Sequence, residues 1–182
     1  MLESHLVEIN ELTPGKLCNY IDHKHYQPIK RLLDTVTDYI EEWTAEASDA
    51  EKVEVLSILF YRLKDEIEQL IRNDTLIIFP LIRNDQQVDA SKSRKLPVDM
   101  IHNKNKKIMY LLDKLRHLAN DYIAKPSWTQ QFRLLCDELH NLDQQVLQTI
   151  YLKENVLLPK VEKLFNQPCG SEGSSNPKAE NE

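Results

Sequence analysis

Glycine and proline are scarce in this chain. Only 3 Gly and 8 Pro occur among its 182 residues. A β-sandwich or β-barrel needs many tight turns, which these two residues usually make, so their scarcity argues against an all-β fold. The long stretches between them are rich in Leu, Ile, Glu, Lys, Asp and Gln. The composition therefore predicts an all-α protein.

Long apolar runs are also missing. The sequence has no run of about 18 or more apolar residues, the length that a membrane span needs. Residues 1–15 lack the basic start and apolar centre of a signal peptide. Apolar residues make up 41% of the chain and charged residues 29%, a balance that can bury a core and still dissolve. We expect a soluble cytoplasmic protein with no membrane partner.

An excess of positive charge is absent. The chain carries 23 Lys and Arg against 29 Asp and Glu, which gives a formal net charge of -6. Proteins that bind nucleic acid neutralise phosphates with clustered basic side chains, so this balance argues against a nucleic-acid partner.

Cysteine pairs and enzyme motifs are missing as well. Cys18, Cys136 and Cys169 lie far apart and form no Cys-x-x-Cys pair, which argues against a disulfide framework or a thiolate zinc site. The sequence has no glycine-rich phosphate loop, no Gly-x-Ser-x-Gly and no His-Glu-x-x-His. We therefore expect a protein that is not an enzyme.

Four long amphipathic segments with capping residues are present, and they predict four helices. The first is expected to run from Thr13-Pro14 toward Trp43, the second from Ser48 to about Pro80, the third from Pro97 to about Ala124, and the fourth from Ser127 to about Phe165. Ser48 and Ser127 each begin a capping box, and Pro14 and Pro97 suit the first turn of a helix. Pro28 removes one hydrogen bond inside the first helix and is expected to kink it.

The length fits one domain with short terminal segments. Residues 1–12 are assigned to an N-terminal segment and residues 13–165 to the helical bundle. A polar stretch, residues 83–96, is the longest connection and joins the two halves of the bundle. Residues 166–182 are polar and rich in Gly, Ser and Pro, so we predict a disordered tail.

Each predicted helix has one inward-facing stripe at steps of three or four residues. The predicted inward positions are Asp22, Tyr26, Ile29, Leu33, Val36, Ile40 and Trp43; Leu56, Leu59, Leu63, Ile67, Leu70, Asp74 and Ile77; Ile101, Asn105, Ile108, Leu112, Leu115, Ala119 and Tyr122; and Phe132, Leu135, Leu139, Leu142, Val146, Thr149, Lys153 and Val156. Polar residues interrupt each stripe near one end of its helix.

An internal repeat relates the two halves of the chain. Leu76–Ile82 resembles Asn155–Val161, with an offset of 159 − 80 = 79 residues. The same offset maps Tyr26 onto Asn105, Leu70 onto Thr149, Asp74 onto Lys153, and His23 onto His102. Two helical hairpins related in this way predict a pseudo-symmetric bundle, in which three inward positions from each half meet around one axis.

The two halves resemble those of the hemerythrin-like (HHE) domain, most closely in the repair-of-iron-centres family. The resemblance covers residues 12–165 and rests on Leu17-Cys18-Asn19-Tyr20-Ile21 with His25-Tyr26, on Leu76 to Ile82, on Pro97-Val98 with Met100, and on Leu152 to Pro159. The last of these is the most specific, because Glu154-Asn155 is followed by an apolar run and Pro159. The resemblance implies an up-down-up-down four-helix bundle.

Members of that family hold two irons with histidines and carboxylates, and many act in stress response and iron-sulfur cluster repair. The ligand positions that the resemblance implies here are Tyr26, Leu70, Asp74, Asn105, Thr149 and Lys153. None is His, only Asp74 is acidic, and Leu70 and Lys153 are not ordinary metal ligands. The six positions therefore predict a divergent member with a degenerate di-iron site.

Our preferred hypothesis is a metal-free protein without a cofactor. The Lys153 ammonium would occupy the space of a metal and pair with Asp74, while Tyr26, Asn105 and Thr149 would hydrogen-bond this pair, since a lone buried charge is costly. Such a protein would act as a binding or regulatory scaffold for a protein partner or as a homodimer.

The alternative is an iron-binding stress-response protein. Its atypical site for non-haem iron would be built from His23, His25, Tyr26, Asp74 and His102, with Glu154 as a further carboxylate. Imidazole is a versatile metal ligand, which allows one iron to bind away from the old di-iron centre. In this alternative the protein would sense or deliver that iron.

Overall fold

The structure is a computed structural model that describes residues 9–46, 50–84 and 98–165. These residues form an all-α fold, and they contain no β-strand. The predicted cap residues Ser48 and Pro97, most of the predicted N-terminal segment and linker, and the predicted tail lie outside the described residues.

The helices form four long segments, three of which contain one wide π-helical turn. The first consists of α1 (Pro14–Ile21), a π turn (Asp22–Tyr26) and α2 (Gln27–Glu46). The second consists of α3 (Ala50–Asn73), a π turn (Asp74–Ile78) and α4 (Phe79–Asn84). The third is α5 (Val98–Leu118), which a short 3₁₀ turn (Asn120–Tyr122) follows. The fourth consists of α6 (Gln130–Leu152), a π turn (Lys153–Leu157) and α7 (Leu158–Phe165).

Threonine side chains cap the first and fourth segments. Thr13 accepts a hydrogen bond from the backbone N–H of Lys16 at 3.4 Å, as the sequence predicted. The predicted start of the fourth helix at Ser127 was wrong by two residues. Thr129 is the cap and accepts from the backbone N–H of Phe132 at 3.3 Å, because the residues before it form a turn.

The third helix ends before its predicted limit near Ala124. After α5, the residues Asn120, Asp121 and Tyr122 all have left-handed backbone angles, with φ of 53°, 53° and 63°. Asn and Asp tolerate this conformation better than other side-chain-bearing residues, whereas a tyrosine in it is strained. The turn brings the Tyr122 ring against His140 of α6, at 5.4 Å between centroids.

Prolines explain where the three π turns form. Pro28, Pro80 and Pro159 each lie two residues after the end of a π turn. A proline inside a helix has no N–H, and its ring clashes with the carbonyl group four residues earlier. In all three segments that carbonyl belongs to the π turn, whose wider spacing accommodates the ring. The third segment has Lys107 at the corresponding position and contains no π turn.

Each π turn adds one residue to the inward stripe, which corrects two predicted core positions. Ile77 was predicted to be buried but is exposed, and its neighbour Ile78 is buried instead. In the fourth segment Val156 is only half-buried, and Leu157 lies in the core. The prediction assumed an unbroken 3.6-residue period, which the wide turn interrupts.

The long helices pack side by side around one core. α2 lies along α6 and also contacts α3, while α5 lies along α3 and contacts α6. Most predicted inward positions are buried here, and Trp43 stacks on Phe132 at 4.4 Å between ring centroids. Lys160 of α7 donates to the backbone carbonyls of Asn10 and Leu12 at 2.6 and 2.8 Å, which holds the chain before α1 against the fourth segment.

None of the helices in the described ranges has the length and apolar character that a membrane span requires.

Candidate functional site

A buried network of Tyr26, Asp74 and Lys153 joins the three π turns, and we call it the central network. The Lys153 ammonium and the Tyr26 hydroxyl both donate to Oδ2 of Asp74. Tyr26 is 0% exposed, Asp74 3% and Lys153 2%, so solvent reaches none of them. The structure thus contains the predicted pairing of Lys153 with Asp74 and the predicted contact of Tyr26 with that pair.

The π turns position all three side chains. Asp74 and Lys153 are each the first residue of a π turn, and the carbonyl of each accepts from the N–H five residues later. Tyr26 is the last residue of the first π turn, and its ring stacks on Phe79 at 5.8 Å between centroids. The internal offset of 79 residues therefore relates two equivalent turns that place opposite charges at the same point.

Burial keeps the Tyr26 phenol and the nearby Cys18 thiol protonated. Burial, strengthened by the negative charge of Asp74 and its hydrogen bond, holds the pKa of Tyr26 well above its usual range, so the phenol stays protonated and donates. Burial also raises the pKa of the Cys18 thiol to about 12. A protonated thiol is a poor nucleophile, which leaves Cys18 as a packing residue.

Asn105 does not bond to the central pair, contrary to the prediction. Its Nδ2 donates to Oε1 of Glu154 at 2.9 Å, and Nδ1 of His102 lies 3.2 Å from the same oxygen. These hydrogen bonds and the ionic contact with His102 lower the pKa of Glu154 despite its partial burial. We call His102, Asn105 and Glu154 the rim trio. Glu154 directly follows Lys153, and its side chain extends toward α5 rather than into the core, so it lies within hydrogen-bonding distance of Asn105.

Thr149 also bonds elsewhere than predicted. Its hydroxyl donates to the backbone carbonyl of Gln145 at 2.7 Å and lies 3.2 Å from Nδ1 of His25. Because the hydroxyl has only one proton, Nδ1 of His25 must be the donor in the second contact. Burial lowers the pKa of His25, so its ring is held neutral. Leu70 is buried and supplies only apolar surface.

The five residues of the alternative iron site are not gathered at one point. Tyr26 and Asp74 are in contact, but the exposed His23 bonds to the carbonyl of Asn19 in its own helix at 3.0 Å. His25 and His102 contact Thr149 and Glu154, respectively. Within the part of the chain that the structure describes, no group of three or more His, Cys, Asp or Glu side chains is placed to hold a metal.

A pair of irons does not fit the residues at the centre. The acidic group there, Asp74, is already neutralised by an ammonium, and Leu70 offers no donor atom. Iron in such sites is held by imidazole and carboxylate ligands, which these positions lack. No protein-family model matches the chain, and a search of curated proteins finds no match.

The sequence analysis missed a second buried carboxylate, Asp143. Arg116 donates to it from Nε at 3.0 Å and from Nη2 at 2.8 Å. The hydrogen bond to Asp143 raises the pKa of Arg116, and burial with the charge of Asp143 raises that of Tyr122. Asp143 lies four residues after the inward Leu139, so helical spacing was the signal that would have found it.

Proposed function

We propose that this chain is a divergent hemerythrin-like four-helix bundle whose buried centre holds an internal ion pair in place of metal. In this proposal the helices run up-down-up-down, and the protein acts as a binding or regulatory scaffold rather than as an enzyme. The observation that carries the proposal is the contact of the Lys153 ammonium with Asp74 at two equivalent π turns.

The charge balance of the centre supports this proposal. A cation bound to Asp74 would have to displace the Lys153 ammonium, which would then remain buried without a counter-charge. An uncompensated buried charge costs several kcal/mol, so the pair excludes a metal cation from this position. The resemblance of the two halves to the hemerythrin-like domain supports the proposed common ancestry with that family. The loss of His at the six implied ligand positions supports the proposal that the chain has diverged from it.

The absence of a usable catalytic group within the network supports a non-catalytic role. A general base or nucleophile has to exchange protons near neutral pH and reach its substrate. Tyr26 and Cys18 keep their protons at neutral pH, and solvent does not reach Asp74 or Lys153. A protein partner or a second copy of the chain would therefore be bound by the outer faces of the helices.

Metal analysis tests this proposal. Protein is expressed in iron-supplemented medium, purified without chelator or affinity metal, and analysed for its elements. We expect well under about one tenth of an iron per chain, and thermal unfolding that a chelator does not change. About one iron per chain or more would contradict the scaffold proposal.

One observation favours the alternative of an iron-handling stress-response protein. His102 and Glu154 lie side by side and are partly open to solvent, and both were named as ligands of that alternative. Iron in the purified protein that disappears in the variant His102→Ala would support it.

A further inference from the structure

The outer face of α3 carries a row of exposed apolar side chains. Val55, Ile58 and Tyr61 follow one another at a spacing of three residues and are 42%, 52% and 39% exposed. The inner face of the same stretch is filled by other residues, among them Leu56 and Phe60, which are 0% exposed. The helix therefore does not need the exposed row for packing against the core. We call Val55, Ile58 and Tyr61 the α3 stripe.

The neighbouring helix α2 shows what an outer face without such a stripe contains. Its exposed positions are all polar, and they are Gln27, Lys30, Arg31, Asp34, Asp38, Glu41 and Glu42. Val and Ile are poorer helix formers than Lys, Arg or Glu, so helix stability does not favour Val55 and Ile58 at exposed positions. Single exposed apolar residues are ordinary, whereas several on one face are typical of a contact surface.

Opposite charges lie on either side of Ile58. Glu54 is four residues before Ile58 and Arg62 is four residues after it, and both are exposed. Among the described residues neither makes an ion pair, although Lys64 and Glu66 farther along the same helix do. Glu54 and Arg62 are eight residues, or about 12 Å, apart along the helix, so they do not neutralise each other.

This pattern is complementary to itself when a second α3 packs antiparallel against the first. With a two-fold axis at Ile58, residues equally far before and after Ile58 lie at the same level in the two copies. Ile58 then meets its own copy, and Val55 lies level with the partner subunit's Tyr61. Glu54 lies level with the partner subunit's Arg62, and the symmetry repeats this pair of opposite charges on the other side of the axis. Both side chains are long enough to meet across such a contact.

We propose that the α3 stripe is the interface through which two copies of this chain form an antiparallel, two-fold symmetric dimer. The proposal names the partner of the scaffold proposed above and rests on it for the role of the dimer. With 24 residues, α3 is about 36 Å long, and a contact strip about 10 Å wide buries roughly 400 Å² on each subunit. Stable interfaces bury about 800 Å² on each partner, so we expect a weak dimer that exchanges readily.

Sedimentation velocity of the full chain at increasing concentration tests the interface. We expect a monomer–dimer equilibrium in which the dimer accumulates between about 10 and 500 µM, as its small area predicts. Ile58→Lys brings two ammonium groups together at the two-fold axis and should weaken dimerisation by more than about tenfold. A chain that stays monomeric over this range, or a folded Ile58→Lys chain that dimerises as well as the unmodified one, would overturn the proposal.

Leu134→Lys is the matched control. Leu134 is 40% exposed on α6, so this variant adds the same charge to another helix. It should leave the dimerisation constant unchanged, and circular dichroism checks that both lysine variants keep their helices. Equal weakening by Leu134→Lys and Ile58→Lys would show that net charge rather than the α3 stripe governs association, and it would refute the interface.

Charge exchange between two chains tests the antiparallel arrangement. Glu54→Arg alone or Arg62→Glu alone places like charges at the same level of the homodimer, so each variant should dimerise at least about fivefold less well than the unmodified chain. A mixture of the two variants has opposite charges at both levels and should form a heterodimer about as readily as the unmodified chain dimerises. A mixture that associates no better than its separate components would overturn the antiparallel dimer centred on Ile58.

Failure of the dimer and failure of the scaffold proposal give different results. A metal-free chain that stays monomeric would contradict the dimer alone. A dimer that Ile58→Lys dissociates but that contains about one iron per chain would support the interface and contradict the scaffold proposal.

Discussion

Two buried ion pairs lie at different levels of the same bundle, and they differ in how water reaches them. Lys153 and Asp74 are both closed off, whereas Arg116, the partner of the buried Asp143, has a side chain that is 33% exposed. Lys153 lies ten residues after Asp143 on the fourth segment, which is about 15 Å along a helix. The two pairs therefore share one bundle but not one environment.

The difference bears on what each pair contributes. A salt bridge with both partners buried gains little net stability, because the lost hydration of two ions offsets their attraction. Arg116 keeps part of its hydration and makes several hydrogen bonds to one carboxylate, the arrangement that charge-assisted pairs favour. We infer that the Arg116 pair anchors α5 to α6, whereas the central pair occupies the core at a cost in stability.

Breaking the central pair on one side should have the largest effect. Asp74→Ala leaves the Lys153 ammonium buried without a counter-charge, and we expect it to lower the free energy of unfolding by about 3–5 kcal/mol. Replacing both residues with Leu should recover much of that loss, because it removes both charges and fills the space. Equilibrium unfolding in urea gives the free energy of unfolding of the unmodified chain, of Asp74→Ala and of the double Leu variant.

The double variant decides whether the pair acts as a unit. Equal, small losses in the single and double variants would show that the two charges do not interact in the folded chain. A double variant less stable than Asp74→Ala would show that the pair stabilises the core.

Breaking the second pair should have a smaller effect. Arg116→Met keeps the apolar stem and removes the guanidinium, and we expect a loss of about 2 kcal/mol, because water can reach the space beside Asp143. Asp113→Asn is the control, since its carboxylate lies 3.9 Å from Arg116 on the surface, and it should change stability by less than about 0.5 kcal/mol. A loss in Arg116→Met as large as that in Asp74→Ala would remove the distinction between the two pairs.

Removing one hydrogen bond from the central network should have a still smaller effect. Tyr26→Phe deletes the hydroxyl that donates to Asp74 but keeps the ring that stacks on Phe79. Asp74 retains Lys153 as its partner, so we expect a loss of about 1.5 kcal/mol. Tyr26→Phe should not change the stability of the variant in which both Asp74 and Lys153 are Leu, because that variant lacks the acceptor. If it lowers the stability of that variant by the same amount, the hydroxyl acts through packing rather than through the hydrogen bond.

The sequence predicted the core better than it predicted the polar contacts. Helical periodicity is a property of the backbone, so positions such as Leu63 and Leu139 were correctly placed in the core. The prolines at 28, 80 and 159 carried the signal for the π turns, but it was interpreted only as a kink at Pro28. Ile77 was misplaced because the added residue of a π turn changes the register.

The partners of Asn105 and Thr149 depend on details that periodicity does not contain. Both were correctly predicted to face inward, yet an inward position allows several acceptors within reach of a flexible side chain. Lys153 and Asp74 could be paired in advance because opposite buried charges have few other ways to be compensated. The left-handed turn at Tyr122 had no such signal, since a tyrosine rarely adopts it.

The smallest effect we predict is a dependence of stability on pH from His25. Burial lowers the pKa of His25 in the folded chain, so the unfolded chain binds more protons between this lowered pKa and the ordinary value of 6.5. Stability conferred by the neutral ring is therefore complete above about pH 6.5 and declines as the pH falls below it. The slope should stay under the one-proton limit of about 1.4 kcal/mol per pH unit, because the ring is only half-buried.

Urea unfolding between about pH 5 and 7.5 distinguishes burial from bonding as the cause of this slope. His25→Gln should flatten the dependence, since it removes the titrating ring. Thr149→Val should preserve it, because burial and not the Thr149 hydroxyl lowers the pKa of His25. If Thr149→Val flattens the slope as much as His25→Gln does, the hydrogen bond and not burial holds the His25 ring neutral. Specific hydrogen bonds would then determine the ionisation of side chains near the π turns, as they hold the pair of Arg116 and Asp143 together.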